Sequence, residues 1–255
     1  MNYVLSFRNG SVLEIVLNRP ERLNALDGPT LEALANYLDE AKEKRVRAVL
    51  LRGEGRAFCA GQDLREAAAG NLDYQEHLQL YNQVILQMRE LEKPIVVAIQ
   101  GVAAGAGMAL ALAADIRIIG AETNLITAFA KIALVPDSGM TYFLPRIAGW
   151  GRAFELMALS PKISAEQALA IGLANQMVPE DQLIETARKL ATELATGPTR
   201  VYGLIKRALN ASPELRLEEA LELEARLQQA AGAGKDHAEG LRAFLEKRTP
   251  TFGGY

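Results

Sequence analysis

The sequence predicts an α/β core followed by a helical extension, and three observations carry that expectation. Short runs rich in Val, Ile and Leu alternate with helical patterns through the first half of the chain, as in a parallel or mixed sheet covered by helices. From Pro179 onward the pattern changes to helix after helix. Of the 255 residues, 49% are hydrophobic and 23% charged, a balance that excludes a disordered, collagen-like or fibrous chain. No composition shift marks a flexible linker, so we expect an α/β core over residues 1–195 and a helical extension over residues 196–255.

The elements follow in order. Val12–Leu17 (VLEIVL) reads as a strand ending at Asn18-Arg19-Pro20. Residues 30–43 place Leu31, Leu34, Leu38 and Ala41 on one helix face, at spacings of three and four. Residues 47–51 and Ile95–Ile99 read as buried strands, and a helix over 74–91 stops before Pro94. After Gly101 a glycine-alanine turn opens a small-residue helix running to Ala114, followed by a strand over 116–119. Met140 to Leu144 forms a short helix in an apolar neighbourhood. Ser164 and Gln167 make a capping box for a helix that Gly172 ends, and 175–178 is a short strand. Helices over 181–196, 199–209, 213–231 and 237–247 complete the chain.

Charge and cysteine content narrow the function classes. With 28 basic and 31 acidic residues the net charge is −3, without the basic excess of nucleic-acid binders. The single cysteine, Cys59, cannot close an internal disulfide and fits a reducing cytosol. The start MNYVLSFRNG lacks a signal-peptide pattern, and glycines interrupt the apolar stretch 94–114, so neither export nor a membrane span is expected. Cys59 reads as a small buried apolar residue. His77 and His237 fall on polar helix faces with no third ligand at a usable spacing, so we expect surface histidines and no metal.

Three segments carry chemistry. Gly101 to Gly107 (GVAAGAG) follows a strand and opens a helix, but as a dinucleotide fingerprint it fails, because Leu110 stands where the third glycine belongs. What remains is a helix start with almost no side chains, suited either to a ligand approaching its N–H groups or to close packing on the sheet. Residues 53–64 (GEGRAFCAGQDL) form a second glycine loop after a strand. Asp137, in VPDSG, has Lys131 as its one nearby opposite charge in sequence. It is either a proton-transfer carboxylate with a raised pKa or, with Ser138, a helix cap. No G-x-S-x-G elbow supports a serine hydrolase.

Taken jointly, LNRPERLNAL (17–26), VRAVLLRGEGRAFCAGQDL (46–64), KPIVVAIQGVAAGAGMALALAADIRI (93–118), LVPDSGMTYFLPRIAG (134–149) and ISAEQALAIGLANQMVP (163–179) resemble the crotonase, or enoyl-CoA hydratase/isomerase, superfamily. The resemblance implies a crotonase-like spiral of ββα repeats with a helical C-terminal extension, assembled as a homotrimer or dimer of trimers. It implies an acyl-CoA thioester substrate, with coenzyme A entering as part of that substrate and no separate cofactor. By resemblance, the N–H groups of Ala60 and Ala106 would form the oxyanion hole. Arg22, Leu23, Ala60, Gln62, Asp63 and Leu64 would meet CoA, and Lys247 and Phe252 would reach a neighbouring subunit's CoA. Met108, Phe129, Leu134 and Tyr142 are candidates for an apolar acyl lining.

Departures from the family pattern narrow the reaction. The two glutamates with which hydratases of this family activate and protonate water fall here on Ala109 and Phe129, and neither transfers protons. Asp137 instead matches an aspartate that some family isomerases and an aryl-CoA dehalogenase carry just after the proline. The pattern looks most like the ring-expanding 1,2-epoxyphenylacetyl-CoA isomerases of phenylacetate breakdown. The expected reaction is that ring expansion to an oxepin-CoA, a shift of a 3-enoyl-CoA double bond to the 2-position, or both, with Asp137 as acid/base. The alternatives are a hydratase-like enzyme of fatty or aromatic acid breakdown relying on Asp137 alone, and a non-catalytic CoA- or RNA-binding member of the fold.

Overall fold

A computed structural model describes residues 2–65 and 73–254. Its strands are β1 (Val4–Asn9), β2 (Val12–Leu17), β3 (Ala48–Gly53), β4 (Ile95–Ile99), β5 (Val102–Ala104), β6 (Ile116–Gly120), β7 (Asn124–Ile126), β8 (Ile163–Ser164) and β9 (Gln176–Val178). They form a six-stranded sheet ordered β1-β2-β3-β4-β6-β9 and a three-stranded sheet ordered β5-β7-β8. Pairing is parallel except for the β1–β2 hairpin and the β7–β8 pair. The helices are α1 (Gly28–Glu40), α2 (Tyr74–Glu90), α3 (Ala106–Ala113), α4 (Met140–Ala148), α5 (Trp150–Leu159), α6 (Ala165–Ala170), α7 (Leu183–Thr196), α8 (Thr199–Ala211), α9 (Leu217–Gly232) and α10 (Lys235–Glu246).

The path is a spiral. Two large-sheet strands hand the chain to the small sheet after a short link, β4 to β5 and then β6 to β7. The preceding turn does the same in miniature. After β3 the chain reaches Cys59, which bridges Ala103 of β5 in parallel. Cys59 N–H donates to the Val102 carbonyl at 3.1 Å and Ala104 N–H to the Cys59 carbonyl at 3.0 Å. The spiral's register therefore lays the loop after Cys59 beside the start of α3, two segments more than forty residues apart in sequence.

Side chains alternate across the large sheet because successive strand residues face opposite sides. Leu13, Ile15, Leu17, Val49, Leu51, Ile95, Val97 and Ile99 face the main core with α1, α2 and α3. Ala48, Leu50, Val96, Ala98 and Ile118 face α7. That helix meets the sheet with Ala187, Ala191 and Ala195, one small residue per turn, which permits close approach. The sequence-level fold class stands, with local corrections. β1 was not anticipated, and the glycine-alanine turn contains a strand, β5. The helix expected to stop at Leu144 continues to Ala148, carrying Pro145 inside it. Residues 180–182 and 212–214 are 3-10 turns, so α7 and α9 begin later than their patterns suggested.

Buried polar contacts fasten α8 to the core. Lys206 Nζ meets Asp115 at 2.9 Å, Arg89 and Asn210 exchange hydrogen bonds, and Arg47 donates to Thr199 Oγ1 at 2.9 Å and to the Phe252 carbonyl at 3.0 Å. Among the described residues, no helix is long and apolar enough to cross a membrane.

Candidate active site

The loop after β3 is held from below. Arg19, nearly buried, places its guanidinium 2.8 Å from Asp27 and 3.0 Å from Asp63, and also donates to the Ala25 carbonyl. Asn24 Nδ2 donates to the carbonyls of Glu54 and Ala57, and Gln100 Nε2 to that of Gly53. These contacts satisfy the loop's backbone and fix its path.

Hydrogen-bond accounting then identifies which backbone N–H groups are free. Ala60 N–H donates to the Leu23 carbonyl at 2.9 Å, so the donor expected there is already committed. Gly61 N–H points at Cys59 Sγ, 3.4 Å away. Gln62 bridges Leu26 in parallel: Leu26 N–H donates to the Gly61 carbonyl at 2.7 Å and Asp63 N–H to the Leu26 carbonyl at 2.8 Å. In such a bridge the middle residue's own N–H points the other way, and among the described residues that of Gln62 has no acceptor. Ala106 is the first residue of α3, so its N–H has no partner within the helix. The pair of free donors is therefore Gln62 and Ala106, a correction to Ala60 made by the loop's pairing with Leu23.

Glycine permits the two donor segments to touch. Gly61 adopts φ +94°, and a Cβ there would lie 2.7 Å from the Ala104 carbonyl oxygen and 3.4 Å from Ala106 N. A Cβ on Gly107 would lie 2.4 Å from the Cys59 carbonyl oxygen and 2.7 Å from its Sγ. The two readings left open for the glycine helix thus both hold: it packs closely, and it presents a bare N-terminus. Cys59 itself is buried, which pushes its thiol up to about 12 and makes it inert.

A cavity of about 210 Å³ opens onto these donors. Its wall includes Ala60, Gly61, Gln62 and Leu64 from the loop, Gly105 and Ala106 from the start of α3, and Leu78 and Tyr81 from α2. Ala128, Phe129, Lys131, Ile132, Leu134 and Asp137 close the far side. Ala128, Ala133 and Ser138, all in or next to this wall, have positive φ (67°, 57° and 53°). Strained backbone of this kind clusters at functional sites.

Asp137 is the cavity's carboxylate. Burial pushes its pKa above the ordinary aspartate range, while the Ser138 hydroxyl, donating at 2.7 Å, and the nearby charge of His77 pull the other way. The alternative reading as a helix cap is excluded, because the cap position of α4 is Gly139 and no side chain caps it. His77 was expected on a solvated face. It is half-buried instead, its Nε2 lying 2.9 Å from Gln62 Nε2 and its ring packed against that of Tyr81, tilted by 52° with centroids 5.2 Å apart.

The other sequence candidates divide. Leu64, Gln62, Phe129 and Leu134 line the cavity, and exposed Arg22 and half-buried Leu23 sit beside its loop. Asp63 is spent in the Arg19 pair, which holds its carboxyl low against the opposing effect of burial. Met108 is wholly buried in the core rather than in the wall. Tyr142 lines an adjoining apolar pocket with Ile85, Leu86 and Phe143. Lys247 and Phe252 are outside the cavity lining. The Phe252 carbonyl is fixed to Arg47, just before β3, whereas the donor loop follows β3. Six residues of strand at about 3.3 Å each separate them by about 20 Å. Among the described residues no group of three His, Cys, Asp or Glu side chains gathers to hold a metal.

Comparison with known proteins agrees with the motif-based resemblance. The sequence profile described as enoyl-CoA hydratase/isomerase matches residues 7–255. The chain is 41% identical to the 1,2-epoxyphenylacetyl-CoA isomerase of Escherichia coli (strain K12), covering 100% of this chain and 99% of that one. It is also 41% identical to a probable enoyl-CoA hydratase of Rhodobacter capsulatus, over 94% of this chain and 93% of that one. Among solved structures, a putative enoyl-CoA hydratase from Streptomyces coelicolor A3(2) superposes with a TM-score of 0.95 at 36% identity, covering 99% of this chain and 94% of the other.

Proposed function

The chain belongs to the enoyl-CoA hydratase/isomerase family, and on that premise we propose that it is an acyl-CoA isomerase with Asp137 as its single acid/base. One observation carries the reading. Asp137 and the free N–H donors of Gln62 and Ala106 share one cavity, while the positions of the hydratase glutamates hold Ala109 and Phe129. A hydratase needs a base for water and an acid for carbon; an isomerase needs only one group that takes a proton and returns it.

The thioester oxygen accepts from Gln62 and Ala106, at a helix N-terminus that favours negative charge. With a 3-enoyl-CoA, the Asp137 carboxylate removes a proton from C2, and the electron pair spreads into a dienolate whose charge rests on the thioester oxygen. Protonated Asp137 returns that proton to C4, and the double bond moves from C3–C4 to C2–C3. With 1,2-epoxyphenylacetyl-CoA, after which the E. coli relative is named, the same proton shuttle accompanies epoxide opening and ring expansion. Burial strengthens Asp137 as a base by disfavouring its charged form, and Phe129, Leu134 and Leu64 suit an aromatic acyl group.

Arg22, Leu23 and Leu64 are assigned to the CoA portion. Lys247 and Phe252 serve a neighbouring copy in a trimeric assembly, an arrangement supported by exposed Phe244 and Leu245 on α10 and Leu217 on α9. Sedimentation of the intact chain tests that assembly.

The deciding experiment incubates wild type and Asp137→Asn with a 3-enoyl-CoA and follows the conjugated 2-enoyl thioester by absorbance. Conversion that collapses in the variant supports the isomerase; equal conversion by both, or none, counts against it. The probable hydratase of equal identity gives a second reading, hydration through Asp137 alone, which predicts Asp137-dependent hydration of crotonyl-CoA.

A further inference from the structure

Two observations at the cavity's edge are used by nothing above. The Gln62 side chain, belonging to the residue whose backbone N–H is free, meets His77 Nε2 at 2.9 Å. His77 also lies within electrostatic reach of Asp137. One imidazole on α2 therefore touches the donor loop through Gln62.

We propose that His77 is a positioning residue for the reaction, holding Gln62 at the cavity edge; this rests on the isomerase reading. The Gln62 amide donates to Nε2, so the neutral ring carries its proton on Nδ1. The ring is held in turn by Tyr81, whose hydroxyl donates to the Leu26 carbonyl at 3.1 Å. Leu26 is the residue that pairs with Gln62. His77, Tyr81, Leu26 and Gln62 thus close a ring of contacts around one oxyanion donor.

The other ionisable groups on the surrounding elements are few among the described residues. Lys131 lines the opposite wall. Asp63 is neutralised by Arg19. Asp73 and Glu76 sit on the exposed first turn of α2, where Asp73 caps the helix.

The test has one arm that needs no turnover. The chain has two histidines, so ¹⁵N-histidine NMR with a His237→Gln reference assigns His77 directly. We expect the neutral ring to carry its proton on Nδ1, because Nε2 accepts from the Gln62 amide. In the kinetic arm, His77→Phe keeps the ring but neither contact and lowers kcat/KM on a 3-enoyl-CoA about ten- to a hundredfold, the range a small misplacement costs. His77→Gln keeps a hydrogen-bonding partner for Gln62 and recovers much of that loss. An Nε2–H tautomer in the wild type, or wild-type kcat/KM in His77→Phe, overturns the inference. A wild type inactive on the probe counts against the isomerase reading alone, and the NMR tautomer then decides this one.

Discussion

Gly107→Ala gives the most direct test of how the two donors are held together. Gly107 is the second residue of α3, and the added methyl carbon would lie 2.4 Å from the Cys59 carbonyl oxygen, 2.7 Å from its Cβ and 2.7 Å from its Sγ. An ordinary contact needs about 3.4 Å or more, so the Cys59–Gln62 loop and α3 must separate by most of an ångström. Overpacking of this size costs about 1–3 kcal/mol of stability. The same displacement moves the Gln62 N–H away from the Ala106 N–H. A misplacement near 1 Å costs about 10²-fold in rate, equivalent to about 2.7 kcal/mol of barrier. Urea unfolding measures the first quantity and initial rates on a 3-enoyl-CoA the second. Trimming the cysteine does not rescue the variant, because the closest clash is with backbone. Wild-type stability together with wild-type kcat/KM would refute the claim that α3 packs directly on the donor loop.

Further expectations follow from the same geometry. Asp137→Asn lowers isomerisation by about 10²–10⁴-fold, the usual worth of general acid–base help. The folded-state pKa of Asp137 is raised by burial, so its stabilising contribution belongs to low pH and is lost as pH rises through that value. At neutral pH the wild type therefore carries an unfavourable buried charge, and Asp137→Asn melts higher than wild type; a lower Tm there speaks against the burial argument. Ala106→Pro removes one donor at the first helical position, where proline is tolerated. It is expected to keep the far-ultraviolet circular dichroism and lose about 10²–10³-fold in kcat, and unchanged kcat would remove Ala106 from the oxyanion hole. Lys206→Ala removes the buried ammonium from Asp115, which keeps Arg89 at 3.3 Å, and costs about 1–3 kcal/mol. A loss below about 1 kcal/mol in urea would show that α8 is not fastened by that pair.

Much of the architecture was legible because it rests on local periodicity. Val12–Leu17, Ile95–Ile99 and the capping box at Ser164 and Gln167 are written in consecutive residues, and each appears where its pattern placed it. The start of α3 was equally readable, since a run of glycine and alanine has few other uses after a buried strand. β5 and β7 escaped notice because three-residue strands are too short to show a period. Glu14, inside an apolar strand, gave no hint of its partners: it pairs with Arg52 and Arg188, the latter from a helix 174 residues away, and these hold its carboxyl low against burial.

By itself, the sequence determined the alternation of elements, the resemblance to the family, and the presence of one carboxylate, Asp137, among apolar residues, with Ala109 and Phe129 where the resemblance puts the hydratase glutamates. Those are properties of residue type and spacing, which a chain displays whether folded or not. Which N–H groups are free, and which side chains face Asp137, only the tertiary structure decided. Ala60 and Gln62 are two residues apart and look alike as donors, but the Leu23 carbonyl takes one and the bridge to Leu26 turns the other outward. His77 read as a polar-face histidine until α2 was laid against the donor loop. Hydrogen bonds are spent or left free by partners distant in sequence, and the register of the spiral alone sets those partners.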